Sequence, residues 1–197
     1  ASITSIMTAV SYRRSAELAG IVGPYNGYAR NAEAHKKVMR KHRAANDSAL
    51  VMPADEGLHA VATREWEQVV SIGEANGYRN ASVLAPTGTI GFMMDCDTTG
   101  VEPDFSLVKF KKLVGGGSMQ IVNQTIPRAL AKLGYDDEQA RRIVDFISEN
   151  GHVIGAPGLA REHYEVFDTA MGQRAIAPMG HVRMMAAVQP FLSGAIS

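Results

Sequence analysis

The chain has 197 residues, enough for one full-sized core or part of a larger one. Its 20 basic and 20 acidic side chains cancel, so bulk charge gives no reason to expect nucleic acid or a membrane as partner. Apolar residues make up 46%, no apolar run reaches membrane-spanning length, and the start lacks the basic and long apolar segments of a secretory signal.

Cys96 is the sole cysteine, which excludes an internal disulfide framework and fits a cytoplasmic home. At the N-terminal end, Ile3, Ile6, Met7, Val10, Ala16 and Leu18 recur at roughly helical spacing and are the expected buried face. Gly20, Gly23-Pro24 and Asn26-Gly27 stop that helix. Asn31 is the expected N-cap of a second helix, Ala32–Ala45, whose Lys36, Lys37, Arg40, Lys41 and Arg43 read as a solvated basic face. A third helix is expected over Glu56–Ala75, with Leu58, Val61, Trp66, Val69, Val70 and Ile72 inward.

The next stretch is the most informative. Ala81–Ala85 reads as a short buried strand, Pro86-Thr87-Gly88-Thr89 as a turn, Ile90–Met94 as the first turns of a helix, and Asp95–Gly100 as an acidic, hydroxyl-rich loop. The N–H groups of Thr87 to Ile90 then lie at a helix start, where they lack partners within the helix and attract an anion such as phosphate. Gly88 lets a ligand approach the backbone, the Thr87 and Thr89 hydroxyls add donors, and Pro86 fixes the entry angle. The same string also describes an ordinary connecting loop; it is neither a Walker A loop nor a dinucleotide fingerprint.

Phe105–Val114 alternates like a strand, and Gly115-Gly116-Gly117 leads into an expected helix over Met119–Leu133 with Pro127 as a break. That glycine run therefore competes with Thr87–Ile90 as a phosphate loop. Asp136 and Gln139 have capping-box spacing for a helix ending near Asn150, with Gly151 as its stop. Helices over Leu159–Met171 and His181–Gln189 follow, and Pro190–Ile196 enters a strand. Strands alternating with more numerous helices indicate an α/β fold with parallel strands.

Other chemistry is sparse. Asp95, Asp97 and Thr99-Gly100 open like an EF-hand, but Ser106 stands where the bidentate acid is required, so a structural turn is expected. Cys96 has no cationic neighbour in sequence to activate it. His35, His42, His59, His152, His163 and His181 show no metal-ligand spacing and read as structural or surface residues, and no metal site is expected.

The run LAPTGTIGFMMDCDTTGVEPDFSLVKFKKLVGGG resembles the catalytic subunit of adenosylcobalamin-dependent (class II) ribonucleotide reductases. IGAPGLAREHYEVFD and MGHVRMMAAVQPFLSGAIS agree with it, as do SIMTAVSYRRSAELA and NAEAHKKVMRKHR earlier. The resemblance implies a ten-stranded α/β barrel of two half-barrels. Residues 1–197 would then be part of a single catalytic barrel domain, its second half, helix-rich with few parallel strands and cut at both ends. It also implies replacement of a ribonucleotide's 2′-hydroxyl by hydrogen. A cobalamin-derived radical passes to a cysteine, a cysteine pair supplies the reducing equivalents, and a thioredoxin-like partner restores that pair. The family's substrate phosphate loop maps onto Pro86, Thr87, Gly88, Thr89 and Ile90. The radical cysteine's loop has no counterpart here, so the chain carries no catalytic residue, and alone it is expected to be inactive. No residue is assigned to adenosylcobalamin, and the resemblance leaves room for a homodimer. The alternatives are a non-catalytic nucleotide- or phosphate-binding module and a purely structural half-barrel.

Overall fold

A computed structural model describes residues 1–79, 82–112 and 115–196. Asn80, Ala81, Leu113, Val114 and Ser197, at the ends of expected strands, lie outside the described residues. The chain forms two compact units, Ala1–Ala85 with Arg183–Ser197, and Pro86–Val182. No described helix is long and apolar enough to cross a membrane.

The first unit is built on α1 (Ser2–Val22), α2 (Tyr28–Asp47) and α3 (Glu56–Asn76). The face α1 buries is not the one its large apolar residues predict. Ser5, Thr8, Ala9, Tyr12, Ser15, Ala16 and Ala19 are inside, while Ile3, Met7 and Val10 are 67%, 57% and 38% exposed. Both sets recur at helical spacing. The small set wins because it lets the α1 and α3 backbones come close, and the buried Ser5, Tyr12 and Ser15 hydroxyls are partnered. The Ser5 hydroxyl accepts from Trp66 Nε1 (2.9 Å) and donates to Asn46 Oδ1 (2.7 Å), and the Asn46 amide donates to Thr63 Oγ1 (3.0 Å). Trp66 and Val69 are fully buried as expected from α3, whereas Leu58 is 42% exposed.

α2 begins three residues before the expected cap. Gly27, in the left-handed region at φ 84°, occupies the N-cap position, and Asn31 Nδ2 donates back to the Gly27 carbonyl (3.1 Å) from inside the first turn. Lys36 and Arg40 on the basic face reach Glu74 of α3 at 2.9 and 2.5 Å. At the unit's other end, Leu84 and Ile196 form an isolated parallel bridge, with Gly194 N–H donating to the Ser82 carbonyl at 2.7 Å. A Cβ on Gly194 would itself lie 2.7 Å from that oxygen, so only glycine permits the approach. The two segments expected as strands, Ala81–Ala85 and Pro190–Ile196, thus meet here in parallel, but as one rung rather than a ladder.

In the second unit, α4 (Gly88–Met93) precedes β1 (Val108–Lys112) and β2 (Ser118–Val122). These two strands pair antiparallel, with Val108 opposite Val122 and Phe110 opposite Gln120. The expected parallel sheet is therefore not what the described strands form, and Met119–Val122 is strand rather than helix. Gly115, Gly116 and Gly117, at φ 98°, 100° and 91°, reverse the chain between the strands. Helix resumes at α5 (Ile126–Lys132), with Pro127 in its first turn where a missing N–H costs nothing. In α6 (Asp137–Asn150) both halves of the capping box are formed, and Gly151 stops the helix in the left-handed region. The expected helix over Leu159–Met171 shrinks to a 3₁₀ segment, Arg161–Phe167, and α7 (Pro178–Val188) starts earlier than expected. Leu107, Val108, Ile126, Leu130, Ile143, Ile147 and Phe167 form this unit's core.

Candidate functional site

The turn at Pro86 is open. Pro86, Thr87, Thr89 and Ile90 are exposed, and Gly88 is partly so. A Cβ built on Gly88 meets nothing within 4 Å, and its backbone is helical. Neither conformation nor packing within the protein therefore requires glycine here; what the missing side chain leaves is bare backbone facing outward.

The donors expected together divide into two groups. The Thr99 carbonyl accepts both the Thr87 N–H (2.6 Å) and the Thr87 hydroxyl (3.0 Å), so Thr87 clasps the following loop. The N–H groups of Gly88, Thr89 and Ile90 have no backbone acceptor among the described residues, as expected in the first turn of a helix. The clasp is reinforced behind α4. Asp95 adopts φ 54°, a left-handed conformation that a short acidic side chain tolerates, and turns the chain back. Cys96 N–H then donates to the Gly91 carbonyl (2.9 Å). A Cβ on Gly91 would stand 3.3 Å from the Thr98 carbonyl, so this buried glycine lets the loop lie close against α4.

Beside the clasp is a cavity of about 390 Å³, lined in part by Asp97, Thr99, Glu102, Phe105, Lys109 and His181. That volume is in the range of small-ligand sites. Lys109 Nζ is 2.7 Å from Asp104 Oδ1, with the two side chains 17% and 12% exposed, and it also donates to the Asp97 carbonyl. Asn123 Nδ2 donates to the other Asp104 oxygen (2.6 Å), and the backbone N–H of Gln124 donates to Asp97 Oδ1 (3.0 Å). Asp97 entered the sequence reading only through the calcium-loop pattern, and Asp104, Lys109, Asn123 and Gln124 were not sequence candidates. The only hint is the charged alternation of Lys109 and Lys111 along β1, which describes any half-exposed strand equally well.

The rival sites fall away. Gly115–Gly117 turns a hairpin and stands at no helix start. Among the described residues no group of three or more His, Cys, Asp or Glu side chains is arranged to hold a metal. Cys96 is exposed, its thiol 3.8 Å from the Met94 carbonyl. His35 stacks on Tyr78 with ring centroids 4.6 Å apart, His163 pairs with the Tyr135 hydroxyl (2.7 Å), and His42 is held through both nitrogens.

Comparison with known proteins gives one family. The model for the ribonucleotide reductase barrel domain matches residues 1–197. A vitamin B12-dependent ribonucleotide reductase of Streptantibioticus cattleyicolor is 69% identical over 199 residues, covering all of this chain and 33% of that protein. The proteins of the same description from Streptomyces coelicolor and Rhodopirellula baltica are 64% and 49% identical, again over the whole chain and over 21% and 19% of their own lengths. The chain thus spans a third or less of the relatives it matches.

Proposed function

The chain belongs to the ribonucleotide reductase barrel-domain family, and from that premise we propose that it is part of an adenosylcobalamin-dependent enzyme that reduces ribonucleotides to deoxyribonucleotides in the cytoplasm. Residues 1–197 belong to one catalytic barrel domain, the second half of a ten-stranded barrel; the parallel rung between Leu84 and Ile196 supports that placement. A thioredoxin-like protein restores the whole enzyme's cysteine pair, and a second copy completes a homodimer. Adenosylcobalamin would supply the radical. No residue of this chain is assigned to a corrinoid, and no step runs through one here.

This chain's own part is to hold the substrate by its phosphates at Pro86–Ile90. The observation that carries this is the open backbone at Gly88, with the Gly88, Thr89 and Ile90 N–H groups unclaimed and a Cβ-free approach to them. Backbone N–H groups donating to an anionic oxygen make stronger bonds than neutral pairs, and the exposed Thr89 hydroxyl adds one more donor. Pro86 sets the entry to the helix, and Thr87 fixes the turn through Thr99 instead of contacting the anion. Fixing the phosphates orients the ribose toward the radical cysteine that the rest of the enzyme supplies, and orientation of this kind lowers the barrier without a reacting side chain.

The test is Gly88→Val in the full-length enzyme. A Cβ there meets only open space, so the fold should accept it and the ligand should not. Affinity for the ribonucleotide is expected to fall at least about tenfold, or about 1.4 kcal/mol, with the unfolding temperature nearly unchanged. Unaltered nucleotide affinity would remove the assignment.

A further inference from the structure

The loop that clasps Thr87 is not held by its own turn alone. Lys109 stands at the centre of what holds it. Its ammonium group lies 2.7 Å from Asp104 and also donates to the carbonyl of Asp97, two residues before the Thr99 carbonyl that takes both Thr87 donors. Asp104 is in turn fixed by Asn123 (2.6 Å), whose own Oδ1 accepts from the Thr125 N–H (2.8 Å) and hydroxyl (2.5 Å). Gln124 holds Asp97 from the same turn. One cation therefore ties the strand β1, the turn at Asn123 and the acidic loop together.

The charge balance makes that cation hard to replace. Asp97, Glu102 and Asp104 all line the cavity, against Lys109 and His181. Without Lys109, the Asp104 carboxylate and the Asp97 carbonyl oxygen face each other with no positive charge between them. The acidic loop then loses its side-chain tie to β1.

We propose that Lys109 is a positioning residue for the substrate: by pinning Asp97 against Asp104 it sets the Thr99 carbonyl, and through Thr87 the turn at Pro86–Ile90. This rests on the reading of that turn as the phosphate site. Lys109 does not touch the nucleotide; it decides where the backbone donors stand.

The experiment compares Lys109→Met, Lys109→Arg and Gly88→Val in the full-length, cobalamin-loaded enzyme. Lys109→Met should raise KM for the ribonucleotide about tenfold with a smaller fall in kcat, the pattern of lost binding rather than lost chemistry. Lys109→Arg, which keeps a cation with several donors, should restore most of the loss. Binding of the corresponding nucleoside, which has no phosphate, should be the same in parent and Lys109→Met. A general weakening of the fold would lower nucleoside and nucleotide binding alike, and that result overturns the proposal. If Gly88→Val weakens nucleotide binding but Lys109→Met leaves it intact, the positioning role alone falls. If Gly88→Val has no effect, the phosphate-site reading falls and this inference with it. Should Lys109→Met fail to fold, Asn123→Ala removes one support of Asp104 while leaving every charge in place. It is read the same way, with a smaller rise in KM expected and an unchanged KM counting against the proposal.

Discussion

His42 shows how much one side chain can be asked to do. Its Nδ1 is 2.5 Å from the Pro190 carbonyl and its Nε2 is 2.9 Å from the Ser193 hydroxyl. A carbonyl only accepts, so Nδ1 carries the proton, and in the neutral ring Nε2 accepts from Ser193. Burial pushes the His42 pKa below the ordinary histidine value, with the Pro190 bond opposing part of the shift. His35 is lowered too, by burial first and by the charge of His42 second. Both groups therefore bind a proton more readily in the unfolded chain. Their contribution to stability is full above the unfolded value of about 6.5 and is lost as pH falls below it toward the folded values. The urea midpoint of unfolding is expected to drop between about pH 7 and pH 5.5. In His42→Gln that drop should be smaller, since one of the two titrating groups is gone. An identical pH dependence in the variant would show that His42 does not contribute.

At the scale of elements, close approach decides more than hydrophobic bulk. α1 turns its serines, threonine and alanines inward and leaves Ile3, Met7 and Val10 outside. The end of α3 follows the same logic. Tyr78 folds back over Gly73 so that its hydroxyl donates to the Val69 carbonyl (2.9 Å), and burial pushes the Tyr78 pKa well above the ordinary tyrosine value. A Cβ on Gly73 would lie 1.9 Å from that hydroxyl oxygen. Gly73→Ala, which in an exposed helix would be stabilising, is therefore expected to destabilise by about 1–3 kcal/mol through overpacking. Tyr78→Phe should cost less, because the ring stays and only one hydrogen bond is lost. Equilibrium denaturation of the two variants distinguishes the cases, and a stabilised Gly73→Ala would mean that Tyr78 has another place to go. The hairpin makes a related point. Met119, Val122, Ile126, Leu130 and Leu133 recur like a helix, yet Met119 and Val122 pair with β1 because three glycines with positive φ turn the chain back first.

For the whole molecule, chemistry and position divide. Each unit has its own apolar core, one around Tyr12, Met39 and Trp66, the other around Leu130, Ile143 and Ile147. The proposed reaction requires a radical cysteine and a redox pair, and the chain has one cysteine. The 197 residues alone are therefore expected to form no deoxyribonucleotide when supplied with cobalamin, nucleotide and a dithiol. Product formation by the isolated chain would mean that the reducing cysteines are not where the family resemblance puts them.

Local signals were enough wherever one neighbour along the chain settles the outcome. The capping box at Asp136, the stop at Gly151, the extent of α3 and the helix start after Pro86 are all of this kind, since each depends on residues within one turn. The motif around Gly88 likewise named the family before any contact was known. Contacts between distant segments decided the rest. Which of two equally periodic faces of α1 is buried depends on α3, and whether Met119 begins a helix depends on β1. That Thr87 spends its donors on Thr99, and that Lys109 reaches the Asp97 carbonyl, depends in each case on a side chain meeting a backbone carbonyl 12 residues away. Periodicity records what a segment can bury; only the partner that arrives determines which of those choices is taken.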